Sequence, residues 1–167
     1  MIQYTNITHT FEPVYDANTK ILILGTFPSV KSREIGFYYG HPQNRFWKVL
    51  AAVTGSPLPV TVEEKKRFLL KNNIGIWDVI KSCSIKGSDD NSITDVEVND
   101  FSKIFSETNL SVIAANGTKA YELYNRYVFP VTGREIVKLP STSPANAAWS
   151  LERLCKAYGE IIASCLN

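Results

Sequence analysis

The run Ile21-Leu22-Ile23-Leu24-Gly25-Thr26-Phe27-Pro28-Ser29 places four consecutive large apolar residues directly before a Gly/Pro turn edged with hydroxyls. A strand that is apolar at every position, without alternation, is buried on both faces, the situation of a parallel strand covered by helices above and below. Three further runs read the same way: Ile74-Gly75-Ile76-Trp77, Ser111-Val112-Ile113-Ala114-Ala115 and Glu135-Ile136-Val137-Lys138-Leu139. Between them, Phe46, Trp47, Val49, Leu50 and Val53 recur at the helical period, with Gly55 placed to end the helix. Weaker helical patterns cover Thr61 to Lys71 and Asn99 to Phe105, and another runs from Thr118 through Tyr127. Leu151, Leu154, Cys155, Tyr158, Ile161, Ile162 and Cys165 form the apolar stripe of a last helix. Strands alternating with helices predict an α/β protein, a three-layer α/β/α sandwich around a central, mainly parallel four-stranded sheet. No linker or repeat divides residues 1–167, so one domain is expected, with residues 1–19 as a lead-in strand or draped arm.

The composition fits that architecture. At 167 residues the chain should hide roughly 70% of its unfolded surface on folding, and 44% apolar residues can fill the interior. Disordered, collagen-like and membrane-spanning classes are excluded. The first residues lack the basic and apolar regions of a secretory signal, so an intracellular protein is expected, cytoplasmic in a prokaryote. Three scattered cysteines (Cys83, Cys155, Cys165) read as reduced thiols, and two histidines (His9, His41) are too few for the usual zinc sites. No metal and no cofactor is expected, and the protein is expected to be a monomer.

Ligands of open parallel sheets bind at the carboxyl ends of the strands. Here the four exits carry Gly25-Thr26-Phe27-Pro28-Ser29-Val30-Lys31, Trp77-Asp78-Val79, Asn116-Gly117-Thr118-Lys119 and Pro140-Ser141-Thr142-Ser143-Pro144-Ala145-Asn146. Taken singly, each has a structural reading: Asp78 as a helix cap, Asn116-Gly117 as a turn, Ser141 to Asn146 as the lead into the last helix. Four polar exits on one sheet edge point to a site. The first exit is not a nucleotide-triphosphate loop, since the Gly-Lys-Ser/Thr ending is missing.

The net charge is only +2, but it is unevenly spread. Lys31 to Lys48 holds four bases (Lys31, Arg33, Arg45, Lys48) and one acid, Glu34, a local +3. Within it, Phe37-Tyr38-Tyr39-Gly40-His41-Pro42-Gln43-Asn44-Arg45-Phe46-Trp47-Lys48 mixes aromatics with cations and amides, as a base-stacking platform bordered by phosphate contacts does. Phe46 and Trp47 read as core. Gly87 to Ser102 carries Asp89, Asp90, Asp95, Glu97 and Asp100 without a base, and reads as a solvated loop leading into a helix. Salt-dependent affinity for a nucleic acid follows the number of phosphates gripped and not net charge, so near-neutrality does not exclude such a partner.

In the order of its motifs the sequence resembles the uracil-DNA glycosylase superfamily, and most closely its hypoxanthine (deoxyinosine)-DNA glycosylase branch. Gly25-Thr26-Phe27-Pro28-Ser29 followed by Tyr38-Tyr39-Gly40-His41-Pro42-Gln43-Asn44-Arg45-Phe46-Trp47 is similar to the first motif of that branch. Ile76-Trp77-Asp78-Val79, Asn116-Gly117-Thr118-Lys119-Ala120-Tyr121-Glu122 and Leu139 to Asn146 are similar to its later motifs. The related mismatch-specific uracil/thymine branch has Gly-Ile-Asn-Pro-Gly at the first exit, where this chain has Phe27 in place of the water-positioning Asn. The histidine that the main uracil enzymes carry in the last motif is replaced here by Ser141.

The resemblance implies a monofunctional DNA glycosylase, an N-glycosyl hydrolase of base excision repair acting on deoxyinosine. Such an enzyme flips a deaminated base out of damaged DNA and leaves an abasic site. It implies Asn44 as the catalytic residue, orienting water through its carbonyl oxygen. Phe27, Tyr39, Asp78 and Asn116 would contact the base, Asp78 accepting the ring N–H beside a carbonyl. Ser29, Lys31, Arg45, Ser141, Ser143 and Ala145 would contact DNA, with Ala145 at the wedge position. No lysine stands where a Schiff base would form, so no lyase step is expected. The alternatives are a uracil or G:T/G:U mismatch glycosylase and a non-catalytic nucleic-acid-binding module; a serine hydrolase lacks its Gly-x-Ser-x-Gly elbow.

Overall fold

The structure, a computed structural model, describes residues 3–9 and 11–166. The chain runs through β1 (Tyr4–Thr8), β2 (Ile21–Gly25), α1 (Val30–Ile35), α2 (Phe46–Thr54), α3 (Val62–Lys71), β3 (Ile74–Asp78) and β4 (Ile80–Lys86). A 3₁₀ turn at Asp90–Ser92 then precedes β5 (Thr94–Val98), α4 (Ser102–Glu107), β6 (Val112–Asn116) and α5 (Thr118–Leu123). A π-helical stretch at Tyr124–Val128 leads into α6 (Phe129–Thr132), β7 (Val137–Leu139) and α7 (Leu151–Leu166). The four strands expected from the apolar runs form one parallel sheet in the order β3-β2-β6-β7. All four residues Ile21 to Leu24 are wholly buried. Ile21 and Ile23 face α2, α3 and α7 through Phe46, Leu50, Leu69, Leu154 and Tyr158. Leu22 and Leu24 face Phe101, Ile104, Leu123 and Tyr124 on the opposite side. This is the expected three-layer arrangement.

Helix boundaries follow local chemistry. Gly55 takes the left-handed conformation that ends α2, and Thr61 with Glu64 forms a reciprocal capping box on α3. The helix expected from Thr118 to Tyr127 continues to Thr132 and widens at Tyr124–Val128. Pro130 lacks the N–H that would bond one turn back, which accounts for the widened hydrogen-bond register.

A second, antiparallel sheet in the order β1-β4-β5 corrects the expected solvated loop at Gly87 to Ser102. Val96 and Val98 alternate with exposed Asp95 and Glu97, so β5 carries a period-two pattern beneath its acidic composition. Strand β4 hides its pattern, because register shifts between Ile80 and Ser84 break the phase that puts Ile80, Cys83 and Ile85 inside. The expected helix start at Asn99 is also corrected: α4 begins at Ser102, and the buried Asn99 side chain donates to the Asp78 carbonyl at 2.9 Å. The lead-in segment supplies β1 and then runs back along β3, where Val14 and Ile76 exchange backbone hydrogen bonds of 3.0 and 2.9 Å. Cys83, Cys155 and Cys165 are free thiols. No helix among the described residues is long and apolar enough to cross a membrane.

Candidate active site

The carboxyl ends of β2, β3, β6 and β7 open into a cavity of about 340 Å³, within the range of small-molecule clefts. Its floor is β2 and β3. A Cβ on Gly25 would lie 2.4 Å from Asp78 Oδ1 and 3.1 Å from the Tyr39 hydroxyl, so only glycine lets these groups converge. Phe27 and Tyr39 line the cavity. Tyr39 is held at φ +51°, and one face of its ring stacks on Phe46 with centroids 3.8 Å apart. Its hydroxyl is buried near the Asn116 amide without hydrogen-bonding geometry and has no partner among the described residues. Burial raises its pKa above the ordinary phenol value, so it stays protonated. A buried hydroxyl without a partner beside a cavity is open to a water or a ligand group.

One wall is a neutral network. Thr142, wholly buried, accepts from Asn116 Nδ2 at 3.0 Å and donates to Asn44 Oδ1 at 2.8 Å, while its backbone N–H donates to Asn116 Oδ1 at 3.0 Å. Asn44 Oδ1 also accepts the Phe46 backbone N–H at 3.0 Å. A backbone N–H can only donate, so the oxygen of the Asn44 amide is identified without ambiguity and both its lone pairs are engaged. The Nδ2 protons have no protein partner among the described residues. In this structure the oxygen expected to orient water is held by two protein donors, and Asn44 offers the cavity a hydrogen-bond donor.

The opposite wall is ionic. Asp78 Oδ2 lies 2.8 Å from His9 Nε2, with the two side chains 5% and 1% exposed. His9 arrives there because β1 and β4 pair with Thr8 opposite Ser82, and its own N–H donates to the Lys81 carbonyl. Asp90, from the 3₁₀ turn, stands at the mouth, accessible to solvent yet enclosed by its walls. Desolvation, and then the charge of Asp78, push its pKa up to about 6.

The expected DNA contacts separate into two groups. Ser141 accepts the Ser143 N–H at 3.1 Å and Ser143 accepts the Ala145 N–H at 3.2 Å, which leaves both hydroxyl protons without an acceptor among the described residues. Ala145 is exposed at the rim. Ser29 instead caps α1, accepting from Ser32 N and donating to Ser32 Oγ, both at 3.1 Å, so its hydroxyl proton is engaged. Lys31 lies outside the cavity lining, exposed and 3.7 Å from Glu34. Arg45 is redirected: its guanidinium donates to the carbonyls of Trp149, Ser143 and Asn146 and staples the Ser141–Trp149 loop. Three carbonyl acceptors compensate the charge that was expected at a phosphate. Among the described residues no three His, Cys, Asp or Glu side chains gather as a metal-holding group.

Residues 12–163 match the model of the uracil DNA glycosylase superfamily. The chain belongs to that superfamily. A protein of Methanosarcina acetivorans called hypoxanthine DNA glycosylase is 43% identical over 151 residues, covering 88% of this chain and 93% of the relative. Its namesake from Methanosarcina barkeri is 38% identical over 138 residues, covering 81% and 86%. The solution structure of a candidate uracil DNA glycosylase from Methanosarcina acetivorans superposes with a TM-score of 0.80 at 38% identity, covering 94% of this chain and 97% of that one.

Within this uracil DNA glycosylase superfamily chain, three site residues escape sequence reasoning. Thr142 stands between the two serines that were singled out, and its polar exit was the available signal. Asp90 was absorbed into an acidic stretch. His9 had no signal at all, since the pairing of β1 with β4 is what brings it to Asp78, 69 residues away.

Proposed function

We propose that the chain is a monofunctional DNA glycosylase that draws a deaminated base, hypoxanthine first, out of damaged duplex DNA and hydrolyses its N-glycosidic bond. The observation that carries this reading is the cavity itself, with its orphaned Tyr39 hydroxyl, free Asn44 amide protons and buried Asp78 carboxylate, in a chain whose relatives are named hypoxanthine DNA glycosylase. Asp78 accepts the ring N–H beside a carbonyl, while Phe27 and Tyr39 wall the base. Asn44 Nδ2 donates to an acceptor of the departing base, where negative charge grows as the bond breaks. A preorganised donor of this kind is worth about 10²–10³ in rate. The oxocarbenium-like sugar is favoured by the neighbouring phosphates and needs little nucleophilic push from water. Ser141 and Ser143 hydroxyls grip phosphate, and flipping costs about a few kcal/mol, least for a poorly paired base.

The test is release of free base from duplexes holding inosine, xanthine, uracil or a G:T mismatch. Hypoxanthine should leave fastest, with an abasic site behind. Faster release of uracil or mismatched thymine would replace the substrate assignment, and binding without product on every duplex would make the protein a non-catalytic module.

A further inference from the structure

We propose that His9 is a positioning residue that fixes the Asp78 carboxylate with Oδ1 turned toward the bound base, so that the pocket reads a ring N–H beside a carbonyl. This rests on the glycosylase reading and adds to it the residue that fixes the acceptor. The Phe11 backbone N–H donates to His9 Nδ1 at 3.0 Å. Since that group can only donate, Nδ1 carries a lone pair, and the proton of the neutral ring sits on Nε2, aimed at Asp78 Oδ2. The ring cannot turn over without losing both bonds. It is also walled by Phe11, Phe27 and Tyr38, with ring centroids 5.1, 6.0 and 5.8 Å away. Asn99 anchors the Asp78 backbone from β4's far side through its carbonyl. One carboxylate oxygen is therefore occupied by His9, and the other packs over Gly25 on the cavity floor.

The consequence is selectivity by acceptor. Hypoxanthine presents N1–H to Asp78, whereas adenine presents a lone pair at N1, and a buried carboxylate facing a lone pair is left unpaired. The titratable groups facing Asp78 are His9 on the N-terminal arm, Tyr38 and Tyr39 before α2, and Asp90 on the 3₁₀ turn, which Lys119 of α5 in turn faces. Burial keeps both phenols neutral, so Asp90 is the charge that opposes Asp78, and the His9 donor is what offsets it.

His9→Phe keeps a ring in the space but removes the donor. It should lower kcat/KM for hypoxanthine release by about 10- to 100-fold at pH 7 and move the acid limb of the pH profile upward. His9→Gln, whose amide N–H can reach the Nε2 place, should restore the wild-type limb. Affinity for the abasic product duplex, which lacks the base, should be the same in all three proteins and confirms folding. With only two histidines in the chain, ¹⁵N NMR of the imidazoles should show His9 protonated on Nε2 and not on Nδ1 at pH 7.5. A His9→Phe profile that superimposes on wild type, an activity loss with an unmoved acid limb, or a proton on Nδ1 would overturn the proposal. A wild type that releases no base from any duplex would overturn the glycosylase reading instead, and the NMR result would then decide the His9–Asp78 geometry alone.

Discussion

The two walls of the cavity are built on different principles. The Asn44–Thr142–Asn116 wall is neutral, and every hydrogen bond in it has a fixed direction, which leaves amide protons facing the cavity. The His9–Asp78 wall, with Asp90 at the mouth, is ionic and leaves carboxylate oxygen facing the cavity. A donor on one side and an acceptor on the other match the lactam edge of a deaminated base. The difference teaches that the donor side is set by backbone geometry, whereas the acceptor side depends on protonation and should be the one that pH disturbs.

The sharpest way to break this contrast is at Asn44. Asn44→Asp keeps an oxygen for the Phe46 N–H and the Thr142 hydroxyl but removes the amide protons, so single-turnover base release should fall about 10²–10³-fold, nearly as far as in Asn44→Ala. Near-native turnover in Asn44→Asp would return the catalytic role to the oxygen and to water. Thr142→Val comes next. It strands Asn116 Nδ2 and one lone pair of Asn44 Oδ1 in a buried place, and should cost about 1–3 kcal/mol in denaturant unfolding, while Thr142→Ser should be close to wild type.

The acceptor wall is probed through Asp90. Its carboxyl is neutral below about pH 6 and charged above it, so the affinity for duplex DNA should weaken as pH rises through 6. Asp90→Asn should flatten that dependence and bind a few-fold tighter at pH 8; a retained pH step would place the titrating group elsewhere. The smallest effect belongs to Lys31, which is exposed and lies outside the cavity. If it touches a phosphate, Lys31→Ala lowers the slope of log affinity against log salt by about 0.9, and an unchanged slope removes it from the footprint.

The same division governs what could be read from the sequence. Asn116 stands on an exit of the parallel sheet, whose strands announce themselves as unbroken apolar runs, and was legible from them; Asn44, just before α2, was legible only through the family resemblance. Which atom of Asn44 faces the cavity was not, because that depends on Thr142 reaching across 98 residues. The partners of Asp78 in the ionic wall, His9 and Asp90, come from the antiparallel sheet and its connections, where a register shift scrambled the pattern of β4 and acidic composition masked that of β5. Asp78 was visible as a carboxylate after a buried strand, but its partner His9 was not. Arg45 was visible as a cation but its carbonyl partners were not, since a guanidinium near a phosphate site and one that staples a loop look alike in sequence.

Single-turnover release of free hypoxanthine from an inosine-containing duplex, measured for the wild type beside Asn44→Asp, tests the central claim most directly. The account predicts free hypoxanthine and an alkali-labile abasic site with the wild type, and release about 10²–10³-fold slower with the variant. A wild type that binds the inosine duplex and returns it intact would contradict it.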